Sequence, residues 1–163
     1  MKKDIIWAPW RMGYILGKKK KGCIFCSIGK GKNDEKNFVV GRGDFSFVVL
    51  NIFPYNNGHL MIAPYRHIKN LENLKEEEGV EILKLLKLSI RILKKILKPE
   101  GFNVGINIGK VSGAGVEGHL HIHIVPRWEG DTNFMPVISN VKVIPQSLKE
   151  LYKVLRKEFE KCI

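Results

Sequence analysis

Gly118-His119-Leu120-His121-Ile122-His123-Ile124-Val125-Pro126-Arg127-Trp128 carries three of the chain's five histidines at a spacing of two, with Leu120, Ile122 and Ile124 in the gaps. Side chains along a strand point alternately to opposite faces, so the alternation predicts a half-buried β-strand. All three imidazoles then share one face, roughly 6–7 Å apart, while the aliphatic side chains enter a core. Three readings fit such a row. The imidazoles are packed core; or they hold a metal, because His-x-His can chelate one ion; or one of them is a nucleophile supported by its neighbours. A buried unpaired imidazole is costly, which counts against the first.

At 163 residues and 44% hydrophobic content, residues 1–163 read as one domain able to build a core. No run reaches the roughly 18 apolar residues of a membrane span. The first ten residues lack the apolar core of a signal peptide, so a cytoplasmic protein with no membrane partner is expected. The formal charge of +12 implies attraction to polyanions, nucleic acid included. Much of that lysine sits in Lys18–Lys21 and along one predicted helix, where a solvated face explains it equally well.

Cys23 and Cys26 form a Cys-x-x-Cys pair. Two thiolates on a tight turn fill two corners of a tetrahedral zinc site; the alternative is a redox pair, but no thioredoxin-like βαβ pattern surrounds it. His67 and His119 are the candidates for the two missing ligands.

Phe38–Asp44 and Phe45–Asn51 read as two strands around a Gly-Arg-Gly-Asp turn, and His59–Ala63 as a third. One long helix is expected from about Lys75 to Leu97, with Ile82, Leu86, Ile90, Leu93 and Leu97 inward and Pro99 and Gly101 ending it. Asn103–Ile108 and the histidine row supply strands four and five, and Val141–Ile144 a short final one. Ser147 to Glu150 spell a capping box that starts a last helix, with Leu148, Leu151, Leu155 and Phe159 inward. Hairpin strands with helices set apart from them indicate an α+β fold on an antiparallel sheet.

His119-Leu120-His121-Ile122-His123-Ile124-Val125 resembles, at every position, the His-φ-His-φ-His-φ-φ signature of the histidine triad (HIT) family, φ being apolar. The resemblance extends from about Trp7 to the last helix. Trp7-Ala8-Pro9-Trp10-Arg11-Met12 looks like the opening of a diadenosine tetraphosphate phosphorylase-like branch, and Pro126–Pro136 extends that likeness. It implies the HIT fold: a five-stranded antiparallel sheet with one long helix and a C-terminal helix, forming a homodimer. It also implies a structural zinc on Cys23, Cys26, His67 and His119.

By the same resemblance His121 attacks the α-phosphorus of a nucleotide and His123 donates to phosphate oxygens or the leaving group. His119 is held by the metal, and its carbonyl fixes the His121 tautomer. Asn51 falls where the ribose is bound, and Ile28, Val49 and Ile52 at apolar positions around the base. Asn107 matches an amide-bearing position before the phosphate loop. Gly115 and Val116 stand where many members carry Gln or Ser/Thr, so only their backbone N–H groups can meet phosphate. His59 falls behind the site, and Arg127 and Asn133 could meet distal phosphates.

The implied substrate is a dinucleoside polyphosphate such as diadenosine tetraphosphate, cleaved through a nucleotidyl-histidine intermediate. A nucleoside phosphoramidase of the same family is the close alternative. A binding module for nucleotides or nucleic acid without turnover is a reading from another class. A metal-dependent oxygenase of the cupin type would need a spaced carboxylate, and Glu129 fits that pattern poorly.

Overall fold

A computed structural model describes residues 22–131 and 143–163. The expectations for Trp7–Met12, Lys18–Lys21 and Asn133 lie outside the described residues. In order, the chain forms α1 (Ile24–Lys30), α2 (Asp34–Asn37), β1 (Val39–Arg42), β2 (Ser46–Leu50), β3 (Leu60–Pro64), α3 (Glu76–Leu97), β4 (Gly101–Ile106), β5 (Ile122–Arg127) and α4 (Leu148–Glu160). The sheet order is β1-β2-β3-β5-β4 and every neighbouring pair is antiparallel. The predicted α+β class and five-stranded antiparallel sheet are therefore present.

Alternation gives the sheet two apolar faces. Val40, Val48, Leu50, Leu60, Ile62, Ile122 and Ile124 pack under α3 and α4. Val39, Phe47, Val49 and Ala63 point the other way, toward Phe25 of α1. His123 is paired with Met61 in register, and Met61 packs on this second face. The histidines and α3 thus lie on opposite sides of the sheet.

Several local expectations differ from the fold. The strand carrying the histidine row begins at Ile122, so His119 and His121 precede its ladder. The backbone there is held instead by Leu120 N–H donating to the Ile68 carbonyl at 2.7 Å. In α3 the fully buried positions are Glu78, Ile82, Leu85, Ser89, Ile92 and Leu93, while Leu86, Ile90 and Leu97 are only partly buried. The helix is turned relative to the predicted stripe because it also packs against α4. Ser147 is the N-cap of α4, yet its side chain makes no cap hydrogen bond, so the predicted capping box does not form. Of the short final strand, Val141 lies outside the described residues, and Val143 and Ile144 are not in a strand.

Candidate active site and metal centre

The Cys-x-x-Cys pair opens a short helix. Cys23 is the N-cap of α1 and Cys26 lies in its first turn, with Phe25 between them turned into the sheet. His67 follows the end of β3, and His119 precedes β5. The potential ligand atoms of Cys23, Cys26, His67 and His119 all lie within 4.8 Å of one another. Cys23 Sγ to His119 Nδ1 and Cys26 Sγ to His67 Nδ1 are each 3.2 Å, and the two Nδ1 atoms are 3.3 Å apart. A tetrahedral zinc with bonds of about 2.0–2.3 Å sets its ligands roughly 3.3–3.8 Å apart. His119 Nε2–H donates to the Pro64 carbonyl at 2.9 Å, which leaves Nδ1 as a bare lone pair aimed into the cluster. Two thiols and two imidazoles so arranged fit a structural zinc. The predicted set of four is brought together completely.

Arg66, next to His67, is anchored from the other side of the sheet. Its guanidinium makes two bonds to the buried Glu78 carboxylate, at 2.9 and 2.7 Å. Glu78 also accepts the Lys75 N–H at 2.8 Å, capping α3, and the Arg66 pairing holds its carboxyl below the usual range. The start of the long helix is thereby tied to the segment that carries His67.

His119, His121 and His123 are buried, at 1%, 4% and 8% exposure. Phe25 packs on two of them, with ring centroids 5.3 Å from His119 and 4.7 Å from His121. His121 and His123 sit edge to face at 4.8 Å, closer than the strand repeat predicts because His121 precedes the regular ladder. Burial pushes the pKa of His121 down, against the opposing hydrogen bond to His119. Burial, and then the neighbouring His121, take His123 down to about 4. Both are therefore neutral imidazoles near pH 7.

Their partners define opposite tautomers. A carbonyl can only accept, so the 2.8 Å contact between His121 Nδ1 and the His119 carbonyl places a proton on Nδ1 and leaves Nε2 bare. A backbone N–H can only donate. Tyr55 N–H, at 3.0 Å, and the Asn51 amide, at 3.2 Å, both point at His59 Nδ1. His59 consequently carries its proton on Nε2 and donates it to His123 Nδ1 at 2.8 Å. His123 is left with its own proton on Nε2. A bare nitrogen and an N–H donor thus stand side by side on one face, and the Tyr55 ring stacks on His123 at 5.5 Å.

The other predicted residues are distributed around this pair. Asn51 is buried; its amide donates to His59 and its Oδ1 accepts Phe53 N–H at 2.9 Å. Val49 is buried in the Phe25–Phe47 cluster, with Ile28 and Val116 packed against it. Ile52 is 45% exposed, an apolar side chain at the surface. Asn107 lies one residue past the Ile106–Ile122 pair and so is level with His121. Gly115 is exposed, with open space where a Cβ would stand. The loop before it turns at Gly109 and Gly113, whose φ values of +82° and +84° favour glycine. Arg127 is committed within the chain, to Asp131 and to Asn103 Oδ1 at 2.7 Å. The residues that sequence reasoning underused are Phe25, Tyr55 and His59. The apolar residue inside the Cys-x-x-Cys pair was the available signal for the first.

A row of paired imidazoles over this sheet defines the class of the protein, and the comparisons agree. The model of the HIT domain matches residues 32–130, and the chain belongs to the histidine triad family. It is 40% identical over 162 residues to the AP-4-A phosphorylase of Mycobacterium tuberculosis, covering 94% of this chain and 83% of that protein. Over 129 residues it is 30% identical to adenosine 5'-monophosphoramidase of Schizosaccharomyces pombe, covering 79% and 92%. A Zn-bound histidine triad family protein from Mycobacterium smegmatis superposes with a TM-score of 0.68 at 26% identity, over 86% of this chain and 94% of that one.

Proposed function

We propose that this protein cleaves dinucleoside polyphosphates of the diadenosine tetraphosphate type by nucleotidyl transfer through His121. The observation that carries the reading is the pair of opposed tautomers. His121 Nε2, bare because Nδ1 is engaged by the His119 carbonyl, attacks the α-phosphorus. The P–N bond forms as the bond to the polyphosphate oxygen breaks. His123 Nε2–H, available because His59 engages its Nδ1, donates to the departing oxygen where charge develops. In the second step an oxygen nucleophile attacks the same phosphorus, the P–N bond breaks, and His121 returns to its starting state. Water as nucleophile yields AMP, and inorganic phosphate yields ADP. The identity to an AP-4-A phosphorylase favours phosphate.

Asn51 and Ile52 would meet ribose and base, with Ile28 and Val49 forming the floor behind them, and Asn107, Gly115 and Val116 would present N–H groups to phosphate. We assign zinc to Cys23, Cys26, His67 and His119. Bound there, it fixes His119, whose carbonyl sets the His121 tautomer, and it has no open position for substrate. The described residues include no helix long and apolar enough to cross a membrane. A cytoplasmic site of action suits a pair of cysteines that must stay reduced. We also infer a homodimer through β4, an edge strand whose outer side has no neighbour in the sheet among the described residues and whose Val104 is exposed.

Incubation with diadenosine tetraphosphate, with and without inorganic phosphate, tests the reading, with His121→Asn as control. ATP plus ADP only in the presence of phosphate identifies a phosphorylase; ATP plus AMP identifies a hydrolase. Full activity in the variant would refute the mechanism. Adenosine phosphoramidate hydrolysis is the second reading, favoured by a loop that offers Gly115 rather than a long polar side chain to the leaving group. A kcat/KM for the phosphoramidate above that for the dinucleotide would establish it.

A further inference from the structure

The charge of +12 is not gathered at the histidines. From Ile82 to its C-cap Lys98, α3 and its end carry Lys84, Lys87, Arg91, Lys94, Lys95 and Lys98 and no Asp or Glu. Lys84, Lys87, Arg91 and Lys94 recur at spacings of three and four, which places them on one pole of the helix, and Lys98 follows as its C-cap. All five are exposed. Ile82, Leu85, Ser89, Ile92 and Leu93 are buried on the opposite pole. The basic row therefore faces away from the sheet, on the side opposite the histidines. None of the five makes an ion pair among the described residues; of the cations on this helix only Lys95 does, with Glu158 of α4.

Like charges three and four residues apart repel each other, so the row is locally unfavourable. The helix dipole compensates cations in the last turn only, which accounts for Lys94, Lys95 and Lys98 but not for Lys84, Lys87 and Arg91. The same chain handles its other surface helix differently. On α4, Lys153 pairs with Glu150 and Arg156 with Glu160. A row that only had to be solvated would look like α4.

We infer that the outer pole of α3 is a docking surface for the sugar-phosphate backbone of duplex DNA, separate from the nucleotide site. From Lys84 to Lys94 the row runs along about 15 Å of helix, the axial length of roughly four phosphates of one strand, and Lys98 at the C-cap continues it. It has no aromatic side chain, as a single-strand stacking platform would need. Ser89, the one uncharged polar residue in the segment, is buried and bonded to the Leu85 carbonyl, so the pole offers only cationic donors, suited to phosphate, and no acceptor for a 2′-hydroxyl. Ile82, Leu85, Ile92 and Leu93 are buried against the sheet, and the exposed Val80 and Leu83 are too few to form a continuous apolar face for a bilayer. The surface reads charge, not sequence.

Fluorescence anisotropy of the full chain with labelled duplex DNA of about 20 base pairs, over about 50–200 mM salt, is the test. Five neutralised phosphates predict a slope of log K against log salt of about −4.5. The triple variant Lys87→Glu/Arg91→Glu/Lys94→Glu should lose at least about tenfold in affinity at low salt and reduce the slope by about 2.7. Its dinucleotide turnover and melting temperature should match the parent. A control triple on α4, Lys149→Glu/Lys153→Glu/Lys157→Glu, removes the same charge from another face and should retain the affinity within about threefold. Equal losses in the two triples would show a net-charge effect and overturn the proposal. So would tighter binding to duplex RNA or to phosphatidylserine vesicles, or no binding by the parent at the lowest salt.

Discussion

His59 shows how one nitrogen can set the chemistry of another. Its Nε2–H is what keeps the His123 proton on the outward-facing Nε2. His59→Asn retains an amide near the inner nitrogen but cannot reach His123. His59→Gln can place an N–H close to the lost Nε2. We expect His59→Asn to lower kcat about 10–100-fold with little change in KM, the range seen when a supporting hydrogen bond is removed. His59→Gln should recover part of that loss. A ¹⁵N spectrum of His123 should show mixed tautomers in the first variant and mainly Nε2–H in the second. A packing role alone would not produce that ordering.

Burial of neutral His123 also carries a pH signature. Its pKa lies below the unfolded value of about 6.5, at about 4 in the fold. Above pH 6.5 both states are neutral there, and this contribution to stability is complete. As pH falls from 6.5 toward 4 the unfolded state takes up the proton first, so stability declines, by up to about 3 kcal/mol. Urea midpoints at pH 7 and pH 4.5 measure it. His123→Gln should remove most of this group's share of the slope, and an unchanged slope would show that other groups dominate.

Among the elements, the turn between β2 and β3 carries the strictest constraint. Gly58 has φ +77°, and a Cβ there would stand 2.5 Å from Leu97 Cδ1 of α3 and 3.2 Å from Leu93 Cδ2. That turn delivers His59 to the site. Gly58→Ala should therefore cost about 1–3 kcal/mol, read as a lower melting temperature, and should also lower kcat by displacing His59. Gly115→Ala, which meets open space, is the control and should leave stability unchanged.

Legibility divides at this scale as well. The α+β class, the histidine row, the long helix and all four clustered ligands could be read from spacing and from the family signature. Periodicity reports which side chains share a face, but not where the backbone bonds go. It could not show that the strand ladder starts only at Ile122, that Ser147 leaves its cap unmade, or that Cys23 is the N-cap of α1. Nor could it pair His59 with His123, 64 positions away, a contact created by the fold alone.

For the molecule as a whole, the four-ligand cluster ties α1, the end of β3 and the approach to β5, segments up to 96 positions apart. Closing loops of that length is entropically demanding, so a bound ion should stabilise the assembly. Free zinc about 100-fold above its Kd would contribute about 2.7 kcal/mol by mass action, or roughly 5–11 °C in Tm for a chain of this size. Chelation, or Cys26→Ser, should lower Tm by that order and release zinc measurable by a colorimetric chelator. Activity should fall with it, through kcat more than KM, because loosening His119 frees the carbonyl that holds the His121 proton. The nucleotide contacts proposed for Asn51 and Ile52 lie outside the cluster and should persist. A chelated protein with unchanged Tm and kcat would mean that the cluster folds and works as free thiols and imidazoles. Loss of Tm with kcat retained would separate the structural task of the centre from the positioning of His121.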